Sequence, residues 1–201
     1  MFAIDGKLYA FSMRLYRLLV LNILFVVGCL PIVTIGASLT ALISVLHQDK
    51  RQIVSSFFEV YRRQLWSTLP YLFFNIMSVI FVYSLRIANT GDSRWMYFVK
   101  LCFIFFVLMY NLNLYVTHAY HPKLGTFRTF QYSFFLTIWS FYKTVWLPIA
   151  MGLIVWFLYK YIGLVIIGLF FSLPLWLHVR LVNDDVERVE QFFVRVRIFS
   201  K

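Results

Sequence analysis

Acidic residues are scarce in this sequence: there are eight among 201 residues, and none lies inside an apolar run. They are Asp5, Asp49, Glu59, Asp92, Asp184, Asp185, Glu187 and Glu190. Paired carboxylates for hydrolysis, a carboxylate cage for a hard cation and the intramembrane carboxylate relay of a proton-coupled carrier all lack their raw material. Cysteine is nearly absent as well. Cys29 and Cys102 both fall within apolar stretches, so they read as small buried hydrophobes rather than a disulfide framework or a paired metal motif. No His-Glu-x-x-His helix, phosphate-cradling glycine loop or Gly-x-Ser-x-Gly elbow occurs. On these absences the chain is expected to be no enzyme, with no catalytic residues, no cofactor and no metal site.

Charge of either sign is missing over long stretches. Residues 18–46, 65–85 and 161–177 contain no ionisable group, and charged residues make up only 13% of a chain that is 62% hydrophobic. A soluble domain is about half apolar and a quarter charged, and roughly 17–25 apolar residues are enough to cross a bilayer. The expected architecture is therefore all-α: a polytopic transmembrane helix bundle of about five spans, forming one membrane domain over 1–201. The spans are drawn at 18–46, 65–85, 95–117, 140–159 and 161–182. An interfacial helix at about 48–64 and a C-terminal tail at 183–201 are both placed on the cytoplasmic side. The first run follows Arg14 and Arg17 but is too long for a signal-peptide core, so the N-terminus is expected to be retained.

The first span is also too long for one straight crossing, about 44 Å against about 30 Å of hydrocarbon. Pro31 removes a backbone donor in its middle and Gly36 weakens the helix, so a break or re-entrant turn is predicted there. The basic residues decide between the two topologies. A single crossing divides Lys and Arg 12 to 7 across the membrane, whereas a hairpin divides them 15 to 4. The sharper split favours both termini in the cytoplasm of a multi-pass cell-membrane protein. The formal charge of +11 flanks apolar segments instead of forming one stripe, which points to anionic lipid and away from nucleic acid.

Several polar side chains can be assigned roles from position alone. Asn22, Asn75, Asn111 and Asn113 lie in the spans and can hydrogen-bond across helices, or else line a solute path. Lys100 and Lys143 are expected to snorkel, His118 and His121 to form an interfacial pair, and His178 to touch headgroups. Within 48–64, Ser56 and Glu59 fit a capping box, with Phe57, Phe58, Tyr61 and Leu65 sharing an apolar face beside Arg62 and Arg63. Asp184 and Asp185 are placed at the start of a last helix carrying Val186, Val189, Phe193 and Val196. Phe57-Phe58 precede Leu69-Pro70 much as Phe134-Phe135 precede Leu147-Pro148, an echo that fits either a duplicated hairpin or chance in a Phe- and Leu-rich chain.

Leu21-Asn22, then Leu30-Pro31-Ile32-Val33-Thr34-Ile35-Gly36-Ala37, then Ala41-Leu42, resemble the signature of YesL-like bacterial membrane proteins, a domain of unknown function numbered 624. Phe57-Phe58 with Arg62 and Arg63 resemble that family's basic segment after the first span; beyond residue 65 the likeness is one of hydropathy pattern. The resemblance makes Asn22, Pro31, Thr34 and Gly36 structural determinants. It implies a setting in Gram-positive bacteria beside carbohydrate-binding lipoproteins, sugar importer permeases and glycoside hydrolases, and it supplies no catalytic residues. The expected function is an accessory component of an ABC-type carbohydrate uptake or utilisation system. Permeases, the ATPase or a binding lipoprotein are its expected partners besides the bilayer, with Phe57, Phe58, Tyr61, Arg62 and Arg63 as the candidate docking face. The alternative is a small stand-alone transporter or channel-like protein for a sugar or other solute, with the break at Pro31–Gly36 in its path. The segment 47–64 lacks the Glu-Ala-Ala loop ending in Gly by which a permease subunit docks its ATPase.

Overall fold

A computed structural model describes residues 6–48, 52–87, 94–161 and 172–199. Among them the chain is helical throughout, with no strand: α1 (Gly6–Gly28), a 3-10 turn (Ile32–Thr34), α2 (Ile35–Gln48), α3 (Ile53–Gln64), α4 (Leu69–Ile87), α5 (Arg94–Tyr120), α6 (Thr126–Thr144), α7 (Trp146–Tyr161) and α8 (Ser172–Phe199).

The first apolar run is two helices folded back on each other. Pro31 is extended, at φ −80° and ψ 124°, and separates α1 from the 3-10 turn. The two arms run antiparallel: Arg17 Nη2 donates to the Val45 carbonyl at 2.6 Å, and Ser38 Oγ donates to the Phe25 carbonyl at 3.1 Å. The apolar part of each arm rises about 17 Å, short of the roughly 30 Å of a hydrocarbon layer. Proline elsewhere sets further boundaries, because its ring collides with the carbonyl four residues earlier. Pro70 and Pro148 sit in the first turns of α4 and α7, where that collision ends the preceding helices, α3 and α6. The Phe-Phe and Leu-Pro echo thus marks two helix–break–helix units, α3–α4 and α6–α7. Pro122 likewise follows the end of α5.

At the centre lies α2, which touches α1, α3, α4, α5 and α8. Ten consecutive residues, Gly36 to Val45, are buried, so every face of this helix is covered. Its sequence explains how five neighbours fit: Gly36, Thr40 and Ser44 recur every fourth residue, as do Ala37 and Ala41, and small residues let helix backbones approach closely. At Gly36 even a methyl group would lie 3.1 Å from Thr68 Cβ and 3.1 Å from Tyr115 Cε1. Around α2, α4 runs antiparallel to α5, and α6 runs antiparallel to α5 and α8.

The distribution of polarity is inverted relative to a water-soluble bundle. In α6 the buried residues are Thr129, Ser133, Leu136, Thr137, Ser140 and Thr144, while Phe127, Phe134, Ile138, Trp139 and Tyr142 are exposed. On α4, Phe73, Ile76, Met77, Val79, Ile80, Phe81 and Tyr83 face outward. A continuous apolar exterior of this extent is far beyond the patches a soluble monomer exposes. Among the described residues one helix, α5, is long and apolar enough to cross a membrane, and α3 with α4 passes the same test as a pair bent by 81°.

The structure departs from the sequence reading in several elements. The stretch 140–159 is not one span: α6 begins at Thr126, in what reads as a connection, and stops at Thr144 under Pro148. Its inward Ser and Thr residues dilute the hydropathy that would have marked it. The segment 48–64 is no free surface helix, since α3 buries Phe57 and Val60 among its neighbours. Ser56 is buried inside α3 and does not cap it; Ile53 packs on the core and carries the helix one turn further back, to an N-cap at Gln52. Asp184 and Asp185 do not start a helix, because α8 runs unbroken through them. Residues 162–171 of the expected fifth span, and 49–51 with Asp49, lie outside the described residues, as do Asp5 and Asp92.

Replacing Gly36 by valine forces a branched side chain against Thr68 and Tyr115 and should cost about 2 kcal/mol or more. Thermal unfolding of the purified protein in detergent is expected to show a clear fall in Tm. Gly152→Val is the control, since nothing lies within 4 Å of a side chain there.

Candidate functional site

Three assemblies of polar side chains organise the bundle, and the first repairs the broken helix. Ending α1 at Gly28 orphans its last carbonyls, a serious cost without water. The Gly28 carbonyl is met by Thr34 Oγ1 at 2.7 Å and by the Tyr61 hydroxyl at 3.4 Å. Thr34 Oγ1 is also 2.7 Å from the Pro31 carbonyl, so its single proton is shared between the two. Asn22 reaches across to α8, accepting from the Ser172 amide at 2.6 Å, and Ser172 Oγ donates to the Leu18 carbonyl at 3.0 Å. Thr34 satisfies the turn that Pro31 shapes, while Asn22 ties α1 to the start of α8 and Gly36 lets Thr68 and Tyr115 lie close against α2. The tip itself, Leu30, Ile32 and Val33, is exposed and apolar.

The second assembly is a buried seam whose asparagines sequence reasoning anticipated and whose histidines it placed elsewhere. His118, 2% exposed, donates from Nε2 to Gln64 Oε1 at 2.9 Å and lies 3.1 Å from Ser67 Oγ and 3.5 Å, through Nδ1, from the Tyr71 hydroxyl. His178, 1% exposed, donates from Nε2 to Asn113 Oδ1 at 2.9 Å, and Asn113 Nδ2 donates to Thr137 Oγ1 at 3.0 Å. Ser133 Oγ continues the seam to Thr117 Oγ1 at 3.0 Å. Asn75 donates to the Tyr115 hydroxyl, and Ser78 donates weakly to Asn111. All four asparagines thus bond across helices. The two histidines are neither an interfacial pair member nor a headgroup contact: each sits inside the bundle because asparagine, glutamine and hydroxyls from neighbouring helices can satisfy it there. His121 is half-buried, just past the end of α5. Three buried side-chain polar atoms have no hydrogen-bond partner among the described residues: Asn75 Oδ1, His121 Nε2 and His178 Nδ1.

The third assembly is an ion pair. Lys143 does not snorkel: its Nζ lies 2.8 Å from both carboxylate oxygens of Asp185, a residue with no exposed surface, and Arg188 Nη1 stands 3.7 Å from one of them. This pair locks α6 to α8, and two to three turns away the same two helices are joined by a stack of Tyr132 on Phe193 with ring centroids 4.0 Å apart. The hydrogen bonds to Asp185 raise the pKa of Lys143 and hold it as an ammonium.

The candidate docking residues divide. Phe57 is fully buried and Tyr61 half-buried by its bond to Gly28, so neither is available to a partner. Phe58, Arg62 and Arg63 remain outward, lining with Glu59 an open cleft of about 500 Å³. The exposed side of α3 is thus short, basic and edged with apolar groups, while its inner side is fixed to the core. Among the described residues no group of three or more His, Cys, Asp or Glu gathers at metal-binding distance.

Asp185 is buried and Lys143 only partly so, and removing the lysine alone strands a buried carboxylate, which should cost more than removing both. Lys143→Met is expected to destabilise the protein by about 2 kcal/mol, and Lys143→Met combined with Asp185→Leu by less. Unfolding midpoints of the two single variants and the double variant in detergent provide the cycle.

Against known proteins, residues 18–85 match the family model described as Protein of unknown function, DUF624, the family otherwise called YesL-like. The match takes in the C-terminal half of α1, the turn at Pro31, α2, α3 and nearly all of α4. No curated protein and no solved structure matches the chain.

Proposed function

We propose, from the DUF624 match over residues 18–85 as premise, that this chain is a multi-pass cell-membrane protein. It acts without catalysis, as an accessory component of a carbohydrate uptake or utilisation system, and holds an ABC-type importer's permease or ATPase through the outer side of α3. The observation that carries the reading is the division of α3. Phe57 and Val60 are locked into the core, and Phe58, Arg62 and Arg63 are left presented outward. An inner helix face set by packing and an outer face rich in arginine and aromatic groups is the composition of a contact surface. The carbohydrate setting comes from the family resemblance. The antiparallel α1–α2 pair supports placing the N-terminal arm and the α2–α3 connection on one side, with both termini cytoplasmic.

A stand-alone transporter is the alternative, and one observation favours it: Asn75, His121 and His178 each keep a buried polar atom that has no hydrogen-bond partner among the described residues. Polar groups of this kind inside a membrane bundle can mark a solute path.

Affinity purification of the tagged protein from native membranes, followed by mass spectrometry, tests the first reading. Importer subunits are expected at stoichiometric yield. Phe58→Ala with Arg62→Glu and Arg63→Glu should lower that yield at least tenfold without changing the elution volume of the protein itself. Recovery of the protein alone, together with flux of labelled sugar into liposomes that contain only this chain, would transfer the argument to the transporter.

A further inference from the structure

A second cleft, of about 410 Å³, opens between the C-terminal ends of α2 and α5 and the middle of α8. Its walls are held in place. The His47 ring lies against Tyr120 with centroids 4.0 Å apart, the Tyr120 hydroxyl donates to Asn183 Oδ1 at 3.0 Å, and the Arg180 guanidinium sits 5.4 Å from the centroid of the Trp176 ring. Partial burial lowers His47 below the ordinary imidazole value, so at neutral pH it is uncharged and Arg180 is the cation lining the cleft. Asp184 lines the same cleft, one turn further along α8, about 6 Å in rise. A cation held over Trp176 and a carboxylate on the next turn suit a ligand that carries both signs close together. A purely anionic ligand would meet Asp184 as a repulsion.

The surroundings indicate where such a ligand comes from. Leu173, Leu177 and Leu181 are exposed at four-residue spacing on α8 and run up to the cleft on the side of Trp176 and Arg180. An apolar strip ending in an arginine, an aspartate and a tryptophan has the profile of a bilayer boundary, where aromatic and basic side chains meet headgroups.

We propose that this cleft binds the headgroup of a zwitterionic phospholipid, a phosphate ester with an ammonium two carbons away. Arg180 takes the phosphate, helped by Asn183 Nδ2, whose amide oxygen is already engaged by Tyr120. Asp184 takes the ammonium, and the acyl chain lies along Leu177 and Leu173. The site rests on the membrane placement given above and is independent of the accessory role.

The test uses the full-length protein purified in mild detergent and incubated with phosphatidylethanolamine or phosphatidylglycerol of matched chains, with retained lipid counted by native mass spectrometry. Phosphatidylethanolamine is expected to be retained at least tenfold over phosphatidylglycerol. Arg180→Gln and Asp184→Asn should each lower it at least fivefold, and Asp184→Asn should also narrow the preference between the two lipids. Equal retention of both lipids, or variants that hold phosphatidylethanolamine as the native chain does, would overturn the proposal. Displacement by equimolar soluble phosphoethanolamine would reassign the cleft to a soluble ester and overturn the lipid source. Alkaline extraction of membranes, run alongside, separates the two failures. A protein that stays in the pellet but shows no lipid preference lacks this site, whereas one released to the supernatant was never embedded.

Discussion

Close approach of helix backbones to α2 is the constraint on which the remaining packing depends. An α-helix ordinarily buries one stripe and leaves the rest to solvent, but here five helices converge on one that has no outer face. That is possible because Gly36, Ala37, Ser38, Thr40, Ala41 and Ser44 present little bulk, and their hydroxyls bond back to the helix or to a neighbour. Thr40 Oγ1 donates to the Gly36 carbonyl at 2.9 Å and Ser38 Oγ to Phe25. The family-matched string thus encodes two things in series, a turn whose loose ends are satisfied by Thr34 and Tyr61, and a slender core helix immediately after it. Neither works without the other. The turn brings α1 alongside α2 only if α2 is narrow enough to receive it, and α3 reaches the turn through Tyr61 only because α2 lies between them at short range.

The second organising feature is the inward placement of polarity. Serine, threonine, asparagine and histidine line the contacts among α4, α5, α6 and α8, while phenylalanine, isoleucine and tryptophan are turned out. Where apolar surface gains little by leaving its surroundings, helix association is driven by packing and by interhelical hydrogen bonds of about 1 kcal/mol or less each. A seam of several such bonds, closed by the Lys143–Asp185 pair, supplies both adhesion and register, since donors and acceptors meet only at one relative displacement of the helices.

These features differ in how far the sequence announces them. The interruption at Pro31 was legible because proline acts locally, whatever surrounds it. The cross-helix role of the asparagines was legible because an uncharged amide in an apolar run has few other ways to be satisfied. By contrast α6 was hidden, because an average over residues cannot separate a polar inner face from an apolar outer one. His118 and His178 were read as boundary residues for a related reason. Their partners, Gln64, Ser67, Tyr71 and Asn113, come from other helices, and nothing near the histidines in sequence betrays them. Asp185 belongs with these: 42 residues separate it from Lys143, and only the fold joins them. Phe57 and Phe58 show the limit most sharply, since adjacent identical residues on a helix point about 100° apart and here fall on opposite sides of the core boundary.

The antiparallel pairing of α1 with α2 has one further consequence. A hairpin that returns the chain to the end it left adds no net crossing, so the parity of everything after residue 48 does not depend on it. The direction of the chain after residue 48 is therefore set by α3 and the helices beyond it, whereas any single span would carry an orientation with it. The segment matched by the family model holds this turn and the central helix together, so the element that is neutral for direction is also the one around which the bundle packs.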